Sequence, residues 1–101
     1  MSSQDVWYVY VLKVTARYNR LDHDNPPTRV TIHVGIAKDD VQRRVGEHQD
    51  GRVKATAGKQ IELLGHSPGT SHTKALQFEA WLKKQRPDKK RFIADAWNLL
   101  R

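Results

Sequence analysis

Apolar and polar residues alternate along this chain with two different periods. Val6 to Leu12 is an unbroken run of β-branched and aromatic residues, which predicts a strand covered on both faces and therefore central. Successive strand side chains point to opposite faces. Tyr8, Tyr10 and Leu12 thus share one face, and Trp7, Val9 and Val11 the other. Arg29 to Ile36 alternates cleanly, with Val30, Ile32, Val34 and Ile36 pointing one way and Arg29, Thr31, His33 and Gly35 the other. This predicts a second strand, antiparallel to the first. Between them Arg20 to Thr28, carrying Asp22, Asp24, Asn25, Pro26 and Pro27, is a polar connection.

The period then lengthens. Val41, Arg44, Val45 and His48 fall at i, i+3, i+4 and i+7, the inward stripe of an amphipathic helix. Asp39 is expected to begin it, with Gln42 three residues on as in a capping box, and Gly51 to close it in the left-handed position. Arg52 to Gln60 reads as a basic loop and Ile61 to Gly65 as a short third strand. Ser67 to Ser71 is a turn, with Ser71 placed to cap a second helix from His72 to Gln85 that Pro87 ends. Phe92, Ile93, Ala96, Trp97 and Leu100 mark a last helix. The order strand, strand, helix, strand, helix, helix lacks βαβ alternation. It predicts an α+β fold: a small three-stranded antiparallel sheet flanked by three helices. With 101 residues and no internal repeat, a single domain over 1–101 is expected.

Composition narrows the chemistry. The absence of cysteine excludes disulfides, thiolate catalysis and Cys-ligated zinc, and fits a reducing, cytoplasmic setting. The apolar run Val6–Leu12 is too short to span a bilayer and follows no basic segment, so neither membrane insertion nor a targeting sequence is expected. The net charge is +7, from 18 Lys+Arg against 11 Asp+Glu. Such a surplus favours a polyanion. It concentrates at Arg43-Arg44, at Arg52 to Lys59 and at Lys83 to Arg91. No basic amphipathic helix stands alone, which favours nucleic acid over a membrane surface.

Two inward stripes carry the wrong chemistry for a core. A buried cation costs several kcal/mol unless compensated, yet Arg44 and His48 lie in the first helix's apolar stripe. Glu79 lies among Ala75, Leu76 and Leu82 in the second. A cleft that receives phosphate would compensate the cation. Each residue alone has a plainer reading: Tyr10 as packed core, His33 on a polar strand face, His48 at a helix C-terminus, Arg44 paired with Glu47 or Glu79, and Glu79 paired with a nearby cation. The histidines form no HExxH pair, Gly58-Lys59 lacks the rest of a phosphate loop, and Gly-x-Ser-x-Gly is absent. Trp7, Trp81 and Trp97 read as core rather than as a base-stacking row, although an exposed one could stack on single strands.

The ordered set Tyr8-Val9-Tyr10, His33-Val34-Gly35, Val41-Gln42-Arg43-Arg44 with Glu47-His48, and Ala75-Leu76-Gln77-Phe78-Glu79-Ala80-Trp81-Leu82-Lys83-Lys84 resembles the GIY-YIG nuclease family, its small bacterial members above all. Lys54-Ala55-Thr56 stands where such members often carry Lys-Tyr-Thr. The resemblance covers Trp7 to about Lys84. It implies a metal-dependent endonuclease that hydrolyses phosphodiesters of DNA or a related nucleic acid. The implied site is Tyr10, His33, Arg44, His48 and Glu79, with Glu79 holding Mg²⁺ or Mn²⁺. Lys38, Arg43, Arg52, Lys54 and Lys59 would contact the nucleic acid. The family usually has tyrosine where this chain has His33, and the connection Arg17–Arg29 is long for it. Low intrinsic specificity, or targeting by a protein partner, is expected. Two alternatives stay open: a catalytically inactive nucleic-acid-binding module and a protein-interaction domain on the same fold.

Overall fold

The computed structural model describes residues 5–16, 29–51 and 59–100. The strand β1 (Trp7–Ala16) pairs antiparallel with β2 (Arg29–Lys38), and on its other side antiparallel with β3 (Gln60–His66). The sheet order β2-β1-β3 makes β1 central, as its two-sided apolar pattern predicts. Three helices follow: α1 (Val41–Gln49), α2 (His72–Lys83) and α3 (Pro87–Leu99). The α+β class therefore stands, while all three strands run longer than the apolar pattern alone suggests. Their added ends include Lys13, Thr15, Lys38, Gln60 and His66, polar residues whose backbone still bonds in the ladder.

The two faces of β1 serve two cores. Val9 and Val11 pack with Val34, Ala75, Leu82, Ala94 and Trp97, under α2 and α3. Tyr10, Leu12 and Val14 pack with Ala37, Val41 and Val45, under α1. A register shift between Val11 and Leu12 in the β1–β3 pairing leaves Leu64 without a partner across the ladder. This bulge turns Leu64 toward the α2–α3 side while Ile61 and Leu63 stay on the α1 side. Gly65 follows because α3 comes close: a Cβ there would sit 2.6 Å from the Ala94 carbonyl oxygen.

The helix boundaries need three corrections. Asp40, not Asp39, caps α1, its side chain accepting from the Arg43 amide at 3.1 Å. Gln42 is thus one position short of a capping box. Asp39 instead turns the chain, at φ +64°, a region that Asp visits more readily than most residues. It is held there from both sides, its amide donating to Val6 O (2.7 Å) and its Oδ1 accepting from Val6 N (3.2 Å). The second helix stops at Lys83, and Pro87 begins α3 rather than merely ending α2. In α3 only Ala94 and Trp97 are buried, whereas Phe92 and Leu100, two of the apolar residues that mark this helix, are 67% and 74% exposed. Ser71 caps α2 through the Lys74 amide at 3.3 Å, and Gly51 closes α1 at φ +78°, both as predicted. Among the described residues no helix is long and apolar enough to cross a membrane.

Candidate active site

The α1 face of the sheet gathers four of the five expected catalytic residues. Tyr10 lies opposite Gly35, and His33 opposite Leu12. The two are therefore diagonal neighbours on one face of an antiparallel pair. Gly35 makes their meeting possible. A Cβ at this position would overlap the Tyr10 hydroxyl and ring, so the phenol lies across β2 where any other residue would block it. The last turn of α1 then brings in His48. Its Nε2 and the Tyr10 hydroxyl share a buried hydrogen bond of 2.8 Å. The His33 ring meets the His48 ring edge-on, centroids 5.4 Å apart.

Arg44, one turn earlier on α1, lies beside the Tyr10 hydroxyl, and this proximity is the first of the influences that keep its guanidinium protonated. Arginine can only donate, so Arg44 meets the phenol from the side of its oxygen. Arg44 is not the buried cation that the stripe predicts, because Val41, Val45 and His48 fill the inward face. Its side chain keeps 40% of its exposure and pairs with Glu47 Oε1 at 3.1 Å. The carboxylate of Glu47 is the neighbour that compensates it.

Protonation follows from burial. Tyr10 is pushed above its ordinary value of about 10 by desolvation, against the pull of Arg44. His48, only 1% exposed, is driven down to about 4, first by burial and then by the charges of His33 and Arg44. Its place at a helix C-terminus favours the cation by about 0.3–1 kcal/mol. That is under about one pKa unit and does not reverse the effect of burial. His33 is also lowered, by burial first and by Lys83 next, with Glu79 opposing. At neutral pH the cleft therefore holds a protonated phenol, two neutral imidazoles and a guanidinium cation.

Glu79 approaches from α2. Its negative charge acts on both Tyr10 and His33, so it shares the cleft's field. The side chain is 16% exposed, and Oε2 pairs with Lys83 Nζ at 3.4 Å. Among the described residues no three His, Asp or Glu side chains are disposed to share a metal. One hard oxygen suits a Mg²⁺ that keeps most of its water. Any metal here would be held by Glu79 alone, in place of Lys83, and not by an enclosing set of protein ligands.

The expected nucleic-acid contacts are scattered. Lys38 ends β2, about 17 Å along the strand from His33 at 3.3 Å per residue, and pairs with Asp5 at 3.3 Å. Arg43 is exposed on α1, and Lys59 lies at the start of β3, beside a polar groove lined by Lys13, Thr15 and Gln49. Arg52 and Lys54 lie outside the described residues. Lys83 and Lys90, both within the basic cluster from Lys83 to Arg91, act on His33 through their charge. The signal for Lys83 was its i+4 spacing from Glu79. The chain matches no family model, no curated protein and no solved structure.

Proposed function

We propose that this chain is a metal-dependent nuclease of the GIY-YIG type, acting on DNA or a related nucleic acid. The observation that carries the reading is the cluster of Tyr10, His33, Arg44 and His48, joined by the 2.8 Å Tyr10–His48 bond and lying in the field of Glu79. In-line hydrolysis of a phosphodiester needs a base for water, a cation on the non-bridging oxygens and relief of charge at the leaving oxygen. His33 is half-buried, neutral at pH 7 and open to water, so it takes the proton of the attacking water. The Tyr10 hydroxyl, anchored by its bond to His48, hydrogen-bonds that water and fixes its direction. Arg44 meets the phosphate with its planar fork, leaving Glu47. A hydrated Mg²⁺ or Mn²⁺ held by Glu79 would neutralise charge at the scissile phosphate and at the leaving oxygen as its bond to phosphorus breaks.

One observation favours a second reading, a nucleic-acid-binding module without catalysis. Both Arg44 and Glu79 already have partners of opposite charge. Incubation of labelled single-strand, duplex and branched DNA with Mg²⁺, Mn²⁺ or EDTA separates the two. Metal-dependent cleavage, reduced at least ~100-fold by Glu79→Ala and by Arg44→Ala with unchanged melting, is expected. The pH–rate profile should fall on an acid limb below about 6.5 that His33→Gln removes. Salt-sensitive binding without cleavage would replace the nuclease by the binding module.

A further inference from the structure

Trp81 does not belong to the core to which its spacing assigned it. It is 43% exposed. Glu79 lies two residues away, about 160° round the helix, so Trp81 projects from the side of α2 turned away from the cleft. It is nevertheless rigidly mounted. Its ring lies on Phe78 at 5.3 Å between centroids, and Phe78 in turn lies on the buried Trp97 at 5.8 Å. Gln85 Nε2 donates to the Trp81 carbonyl at 3.0 Å, holding the end of the helix.

The neighbours on this face are chemically one-sided. Lys74, Gln77, Phe78 and Trp81 of α2, with Lys84 at its C-cap, fall within one stripe at i, i+3, i+4, i+7 and i+10. The stripe has a lysine at each end, aromatic rings between them, and no acid. Lys74 and Lys84 are both exposed. Phe78 and Lys74 also border an open apolar cavity of about 370 Å³, walled by Trp97 and Pro68. An acidic protein would satisfy the lysines but supplies no flat ring to cover Trp81, and a membrane would need a broader apolar face. Cations flanking an exposed, immobilised ring match what unpaired nucleotides need: phosphates on the lysines and a base on the ring.

We propose that the Lys74–Phe78–Trp81–Lys84 stripe of α2 is a stacking site for unpaired nucleotides of a single strand or flap. The inference rests on nucleic acid being the partner of this chain, and it deepens the substrate class from nucleic acid in general to one with an unpaired segment. Glu79 and Trp81 stand on opposite sides of one helix, about 10–12 Å across with its side chains. A strand leaving the cleft crosses α2 to reach the ring.

Binding is measured by anisotropy in EDTA, with a labelled oligothymidylate and with a blunt hairpin duplex of equal charge, in the Glu79→Ala background. Trp81→Ala is expected to weaken the single strand about tenfold and the duplex less than twofold. Trp81→Phe, which keeps a ring on Phe78, should restore most of the affinity. Tryptophan emission quenched by the oligonucleotide should lose that quenching in Trp81→Phe. Equal weakening of both substrates, or none of either, overturns the stacking site. If wild-type protein cleaves duplex DNA while Trp81→Ala binds single strands normally, this inference falls and the nuclease reading stands. If Trp81-dependent binding occurs without any cleavage, the stacking site stands and the nuclease reading falls.

Discussion

At the scale of single residues, the buried imidazole of His48 sets a pH dependence whose sign is fixed. Its folded value, about 4, lies below the ordinary 6.5. The unfolded chain therefore takes up a proton first, and stability is lost as pH falls from about 6.5 toward 4. The lowered His33 adds in the same direction. Tyr10 acts at the other end: its raised value means the unfolded chain ionises first, so stability falls as pH rises past about 10. Melting at pH 7 and pH 5 checks the acid limb. The wild type should lose more than His48→Gln, which cannot titrate, by roughly 4–8 °C, the shift that about 1 kcal/mol makes in a domain of this size. Equal losses would show that His48 is not the group that titrates.

At the scale of elements, two glycines decide how closely neighbours approach. Gly35→Ala forces the Tyr10 phenol off β2, away from His48. It should cost about 1–3 kcal/mol, as overpacking does, and remove cleavage along with it. Gly65→Ala meets the Ala94 carbonyl of α3 instead, a backbone atom that cannot rotate aside. A comparable loss of stability is expected there, but residual activity per folded molecule should survive, because α3 packs on the face opposite Tyr10. Thermal melting together with cleavage rate normalised to folded protein distinguishes the two. The helix pattern located α1 correctly but misjudged its chemistry. Arg44 has the spacing of an inward residue, yet Glu47 one turn on gives it a partner at the rim. Spacing cannot tell a buried arginine from one whose long stem lies along the same stripe and brings its head to water.

At the scale of the molecule, a net charge of +7 implies that counterion release dominates affinity for nucleic acid. Log affinity should fall linearly with log salt, with a slope of about −0.7 per contacted phosphate on single strands and −0.9 on duplex. A slope steeper than about −3 in a titration from 50 to 200 mM salt is expected, since five lysines and arginines, Arg44, Lys74, Lys83, Lys84 and Lys90, stand near the cleft and the α2 stripe. A flat profile would exclude a polyanion as the partner. Of the basic clusters along the sequence, that from Lys83 to Arg91 bears on the site as expected. Lys38 is carried to the far end of β2 and engaged by Asp5, while Lys83 and Lys90 come under the influence of the cleft from α2 and α3.

Periodicity alone determined the class of this fold, the central place of β1 and the sharing of one face by Tyr8, Tyr10 and Leu12, because strand and helix repeats depend only on local geometry. It also marked Gly51 and Ser71, whose roles are set within a few residues of chain. Only the tertiary structure decided that Gly35 clears a path for Tyr10, that His48 lies beyond it at bonding distance, and that Trp81 remains in water. Those outcomes depend on how far one element stands from another. That distance is set by packing summed over the whole core, and no local pattern of residues encodes it.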